Sequence, residues 1–366
     1  MKHLFAYAGM LILCIYYSHT TSAQGCVAVR SNGAICTRVH ADTTSSDWQL
    51  TIGYRYFHSF RHFVGTKEQK QRVENGTDVR NFQHAVDITL AKKLNSYWSL
   101  ALNVPVISNA RSSMYEHYGN TSTSSNARRS THSFGMGDVR ISAYRWLLNP
   151  LTSQRGNIQV GAGIKLPTGD YNYQDFFYKN DTTRIIGPVD QSIQLGDGGT
   201  GISVELNGYY VFSKVVSVYG NFYYLINPRE QNGTSTTRGA VPTTANVANG
   251  SSVMSVPDQF MIRSGANLMF GNFSVSAGVR MECIPVYDLA GESNGFRRPG
   301  QIVGIDPGLA WQFKKINLFA TVPVWVIRNR TQSVPDKLRT KLTGVYTQGD
   351  AAFSDYTINI GCSIKF

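Results

Sequence analysis

The chain has 366 residues, with 35 Lys and Arg against 23 Asp and Glu, and it is rich in Tyr (20), Phe (18) and Gly (34). After residue 23 it has no apolar run long enough for a transmembrane helix, which excludes a helical membrane protein. The basic excess comes with no basic helix or recognition motif, which argues against nucleic acid as a partner and points instead to lipopolysaccharide phosphates or anionic solutes.

Residues 1–23 have the pattern of a secretory signal peptide. Lys2 and His3 give a basic start, Leu4 to Tyr17 is apolar, and Thr21-Ser22-Ala23 forms the cleavage site. The apolar run is short for a membrane anchor. Cys14 follows bulky Leu13, and Cys26 lacks the apolar residue that a lipidation motif wants. Residues 24–46 would form an N-terminal periplasmic segment or a plug. Cys26 and Cys36 flank a short Gly-containing loop in an exported chain, which favours a disulfide; two free thiols are the alternative.

Twelve candidate strands follow, identified by alternation of apolar and polar residues. They cover 47–58, 81–91, 97–107, 135–148, 156–166, 199–212, 215–226, 258–270, 273–286, 300–313, 316–328 and 353–366. The first sets Trp48, Leu50, Ile52, Tyr54 and Tyr56 on one face; the third sets Trp98, Leu100, Leu102, Val104 and Val106. In the last, Tyr356, Ile358, Ile360, Cys362, Ile364 and Phe366 alternate with Asp355, Thr357, Asn359, Ser363 and Lys365. A strand with lipid on one side and a wet lumen on the other needs this pattern. Cys283 and Cys362 both fall on apolar faces, as small hydrophobes. The final Phe resembles the C-terminal signature that the barrel-assembly machinery reads on outer-membrane barrels.

Connection lengths alternate. Long ones fall at 59–80, 108–134, 167–198, 227–257, 287–299 and 329–352; short ones fall at 92–96, 149–155, 213–214, 271–272 and 314–315. Long extracellular loops and short periplasmic turns make this the pattern of an up-and-down barrel with both ends in the periplasm. A soluble sandwich would show no such asymmetry.

Four segments carry a resemblance: Phe134-Gly135-Met136-Gly137-Asp138-Val139, Lys165-Leu166-Pro167-Thr168-Gly169-Asp170-Tyr171, Gly196-Asp197-Gly198-Gly199-Thr200-Gly201 and Gly295-Phe296-Arg297-Arg298-Pro299-Gly300. In order and spacing they resemble the outer-membrane MetA-pathway phenol-degradation (transporter) family, over most of 47–366. That family is distantly like the long-chain fatty-acid uptake channels, so the resemblance implies a route for apolar solutes. It implies no catalytic residues and no cofactor.

Counting up from each short turn, Arg55, Arg140, Lys165, Glu205, Arg263, Arg280 and Asp306 land at similar heights on the polar face, with Glu282 just above. An Arg or Lys on the lipid face at that depth would cost ~2–4 kcal/mol, so all should point inward as a charge belt. The belt could be a salt-bridged filling, a charged constriction that selects solutes, or both.

Other features carry less. His58 and His84 lie on the outward face near the outer rim with no Ser in reach, which argues against a catalytic pair. His58 and His62, four apart, leave a strand for a loop, where a rim-aromatic role outweighs a metal site. Gly161 and Gly163 accommodate curvature or close packing. The five aspartates of 167–198 are too irregularly spaced for calcium and count as solvated loop charge.

The expectation is an all-β, transmembrane up-and-down antiparallel β-barrel of about 12 strands over 47–366, in the cell outer membrane. It would be a channel or transporter for small, apolar or aromatic solutes, not an enzyme, with no cofactor or metal. The alternative is a closed barrel that acts as a scaffold or binds partners through its long loops.

Overall fold

The computed structural model describes residues 47–117, 120–153 and 155–366. The signal peptide, the proposed plug and the Cys26–Cys36 pair lie outside them.

Twelve antiparallel strands close into a barrel. They are β1 (Trp48–Val64), β2 (Arg80–Lys93), β3 (Trp98–Met114), β4 (Arg128–Met136 and Arg140–Trp146), β5 (Gly156–Lys165) and β6 (Gly201–Val211). The second half is β7 (Val216–Ile226), β8 (Gln259–Phe270), β9 (Phe273–Ile284), β10 (Gly300–Ile305 and Gly308–Phe313), β11 (Ile316–Thr321 and Val324–Arg330) and β12 (Ala351–Lys365). Each strand pairs with its neighbours in sequence. β12 returns to β1, from Gln49 opposite Lys365 to Phe63 opposite Ala351, so no edge is left open.

Burial is inverted relative to a soluble protein. Ile52, Ile141, Ile164, Ile202, Ile262, Leu309, Leu318 and Ile360 are exposed on the outer wall, while Asn81, Gln83, Asn109, Asn207, Asn221 and Asn267 are buried inside. The inner residues satisfy one another from strand to strand: Gln83 donates to Asn109 (2.9 Å), Asn109 to Ser133 (2.9 Å) and Asn221 to Asn207 (2.9 Å). Hydrocarbon outside and a polar interior account for both faces. This is a transmembrane β-barrel of the outer-membrane type.

Several strands run further than the alternation indicated. β1 continues to Val64, β3 to Met114, and β4 begins at Arg128, so the connection expected over 108–134 shrinks to 115–127. At the outer edge of the apolar band the outward residues need not all be apolar; Ser108 faces outward there, between His84 and Phe134. At ~3.3 Å per residue a 17-residue strand is far longer than a bilayer crossing requires. Three strands expected to be continuous are interrupted, at 137–139, 306–307 and 322–323. Two of these gaps hold Pro307 and Pro323, which cannot donate to the ladder. The seam survives through Asp306 N–H to Gly278 O (2.8 Å) and Val322 N–H to Pro307 O (3.1 Å).

The long connections are structured. Short hairpins pair Gln174–Tyr178 with Arg184–Pro188 and Gln231–Ser235 with Val253–Ser255. Helix α1 (Val334–Thr343) starts at a Ser333/Asp336 capping box, with Pro335 in its first turn. It stops at Gly344, whose φ of 70° a residue with a side chain would resist.

Candidate functional site

Every predicted belt residue faces the lumen. Arg55, Lys165, Arg263, Arg280, Glu282 and Asp306 are buried, while Arg140 and Glu205 are partly exposed. Register sets two pairs directly across from each other, Arg140 opposite Lys165 and Arg263 opposite Arg280, while Glu205 is opposite Gly161, four residues along from Lys165. Arg55 on β1 is within electrostatic reach of Arg140 on β4 and of Arg280 and Glu282 on β9, so the belt converges across the lumen.

The charges are paired by near neighbours. Arg280 donates to Glu282 (2.7 Å), Arg263 pairs with Asp306, and Arg55 is 3.7 Å from Asp87. Tyr144 donates to Glu205 (3.0 Å). Arg140 and Arg263 also lie over the rings of Tyr223 and Tyr219, at 5.3 and 4.9 Å. Pairing is incomplete: Arg55 Nε and Arg263 Nη2 find no acceptor among the described residues. Asp87, Tyr144, Tyr219 and Tyr223 were missed by the sequence reading. Asp87 was legible, since it has inward parity on β2 close to the height of Arg55.

Three of the four family-like segments meet at one knot. Lys165 pairs with Asp197 and lies 3.6 Å from Asp138. Asp138 accepts the N–H groups of Gly169 (3.0 Å) and Asp197 (3.2 Å). A Cβ at Gly169 would stand 2.8 Å from Gly196 N, so glycine is required by the approach of two backbones. The knot draws the connection over 166–200 into the barrel. Leu195 packs on Ala85 and Ile107 of β2 and β3, and Asn109 donates to Ile193 O (3.1 Å).

The fourth segment locks that inserted loop. Arg298 grips both oxygens of Asp190 (2.8 and 2.7 Å), and Arg111 of β3 approaches the same carboxylate at 3.5 Å. Burial opposes ionisation of Asp190, but the two arginines outweigh it and hold the carboxyl well below its ordinary range. Arg297 likewise grips Asp288 (2.7 and 2.6 Å). The expectation that the five aspartates of 167–198 are solvated loop charge fails for two of them: Asp190 is buried in this clasp and Asp197 is held by Lys165. Their partners come from distant strands, so no local spacing reveals them.

At the clasp the long loops form a cavity of about 350 Å³. Arg238, Arg298, Arg330 and Arg339 line it with Asp190, Asp336 and Asp350, and Phe296 adds a ring. Asp350 is held by His62, whose Nδ1 lies 2.8 Å away. The other ring nitrogen accepts Val79 N–H (2.8 Å), so the proton sits on Nδ1 and is donated to Asp350. Burial works against the charge on Asp350, yet His62 and Arg72 keep its carboxyl below the usual range.

The histidines correct one expectation. His58 and His62 do not leave for a loop; both lie in β1, and register shifts between Phe57 and Arg61 turn His62 inward while His58 stays outside. His58 stacks with Phe60 and Phe82 at 4.9 and 4.2 Å, and His84 Nδ1 is 2.7 Å from the Tyr54 hydroxyl. Both belong to an aromatic girdle. Gly161 fits the close-packing reading, since a Cβ there would meet the Tyr144 ring at 2.6 Å.

No family model and no curated protein sequence matches the chain. Among solved structures, it is similar to an outer-membrane channel from Pseudomonas putida F1, with a TM-score of 0.58 at 10% identity over 93% of this chain and 100% of that one. It is less similar to a FadL homologue from Pseudomonas aeruginosa (TM-score 0.44, 10% identity, 89% of this chain and 92% of that one). The translocator domain of the autotransporter NalP from Neisseria meningitidis gives 0.42 at 10% identity, over 89% and 91%. At such identities the likeness is one of fold.

Proposed function

We propose that the chain is an outer-membrane channel for small solutes, entered through the loop-built cavity and controlled at the charge belt. The observation that carries this reading is the incomplete pairing of the belt, where Arg55 Nε and Arg263 Nη2 are buried with no acceptor among the described residues. A filling that served packing alone would satisfy its own donors. Inward tyrosines at 144, 219 and 223 place flat apolar surface beside the charges. That combination suits small aromatic solutes that carry a polar or anionic group. The long connections face the exterior and the short turns the periplasm, by the usual asymmetry of such barrels. Residues 1–23 are removed on export, and Cys26 pairs with Cys36.

A second reading, a closed barrel with a structural belt, is favoured by the pairing of Arg263 with Asp306 and of Arg280 with Glu282. Liposome swelling against sugars, amino acids and aromatic acids separates the two, together with single-channel recording. A channel gives conductance above background and a graded solute preference. Vesicles that stay tight to the whole panel would refute the channel.

A further inference from the structure

The two ends of the barrel differ sharply in charge. The short turns and the strand ends beside them carry Lys92, Lys93, Arg145, Lys214, Lys314 and Lys315. Asp47 is the one acidic side chain at that end among the described residues; the others lie at belt height or beyond. No ion pair involves any of these six bases among the described residues. Three of them lie against aromatic rings instead. Lys92 Nζ is 4.9 Å from the Trp48 ring, Arg145 Cζ is 5.8 Å from Trp98 and 6.0 Å from Tyr97, and Lys314 Nζ is 5.4 Å from Phe313.

Position specifies what these groups meet. Lys92 follows Leu90 on the outward face of β2, and Arg145 follows Ile141 and Ala143 on that of β4. Both stand on the wall at the edge of the apolar band, not on the underside that faces water. There a long basic side chain lays its stem along apolar surface and carries its charge into the headgroup layer, where aromatic rings also sit. Lys314 and Lys315 lie in an exposed turn at the same edge. Bases this close to a membrane surface attract anionic lipid within a Debye length.

We propose that this rim is a binding surface for the phosphates of anionic phospholipids in the periplasmic leaflet. The proposal rests on the assignment of the short turns to the periplasm. A lipid is favoured over an acidic periplasmic protein because Lys92 and Arg145 point along the wall into the bilayer edge.

Tryptophan fluorescence tests it directly. Trp48, Trp98 and Trp311 are exposed on the rim, while Trp146 and Trp325 are buried. The purified protein is placed in vesicles containing brominated phosphatidylglycerol or brominated phosphatidylcholine, and quenching gives the relative binding of the two lipids. The rim should prefer phosphatidylglycerol by at least about threefold, and K92Q/R145Q/K314Q/K315Q should bring the ratio to about one. Should that variant fail to fold, K314Q/K315Q, confined to a turn, should still lower the ratio. Millimolar inorganic phosphate should leave the preference intact; its loss would mean a free-phosphate site and sink the lipid assignment. Equal quenching in the wild type, or an unchanged ratio in the variants, overturns the proposal. Both leaflets of the vesicle carry the same lipid, so the result does not depend on which end faces the periplasm. That assignment is tested separately by surface labelling.

Discussion

Arg263 on β8 reaches past β9 to Asp306, which stands in the gap where β10 is interrupted. Asp306 is fully buried, and its N–H is bound to Gly278 O of the strand between them (2.8 Å). Removing Arg263 would leave a buried carboxylate without its partner, at a cost of ~3–5 kcal/mol. Arg263→Ala should therefore lower the temperature at which the folded band is lost on heat-modifiability gels. If the belt also lines the solute path, Arg263→Ala with Arg280→Ala should move the reversal potential in a salt gradient toward cations, because a narrow lumen magnifies each charge. An unchanged reversal potential in an open channel would eliminate the constriction.

Gly278 is bare for a reason that its neighbours supply. A Cβ there would run into Ser264 O and stand 2.7 Å from the Tyr219 hydroxyl, which also covers Gly265. Gly278→Ala should cost ~1–3 kcal/mol by overpacking. At Gly220 a Cβ meets nothing within 4 Å, so Gly220→Ala is the matched control. Unfolding midpoints in denaturant decide the matter, and equal midpoints for the two variants would contradict it.

The clasp at Asp190 gives a pH prediction. A carboxyl whose folded pKa is depressed contributes stability that is present above its unfolded value, about 3.9, and is lost only as pH falls through the depressed folded value. Arg111 and Arg298 depress Asp190 in this way against the cost of burial. Single-channel conductance of the wild type should thus be the same at pH 7 and pH 5. Asp190→Asn should release the inserted loop and raise conductance at both values. Wild-type conductance in the mutant would mean that the loop is held elsewhere.

Surface labelling fixes the sides of the membrane. Asn126 and Gly233 are exposed in long connections; Gly271 and Asn272 are exposed in a short turn. Tags at the first pair should be labelled on intact cells, and a tag at the second should be silent until the membrane is permeabilised. The reverse pattern would invert the barrel.

Alternation located all twelve strands because lipid forces it: a polar residue at Ile52 or Ile360 would face hydrocarbon. It failed where lipid stops. Ser108 faces out in β3 at the level of the aromatic girdle and breaks the apolar alternation, so the sequence does not mark the rest of that strand. The breaks at Pro307 and Pro323 were legible, since a missing N–H weakens any ladder. The inward parity of the charged residues was legible, and so were Glu282 and Asp306 as the partners of Arg280 and Arg263. The clasp was not. Arg111, Asp190 and Arg298 come from one strand and two loops, and only the inward course of the 166–200 connection brings them together.

The closing seam bears on how the barrel is made. Thr51 Oγ1 and Ser363 Oγ lie 2.7 Å apart across 312 residues of chain. The entropy of such a closure rises only as the logarithm of its length, so the seam itself is not costly to hold. It is costly to wait for. β1 emerges from export first, and its partner β12 emerges last. Until then β1 keeps an unpaired edge that any other strand could join. A chain cut before Ala351 would retain the other strands yet never close, and it should accumulate as an aggregate or a protease substrate.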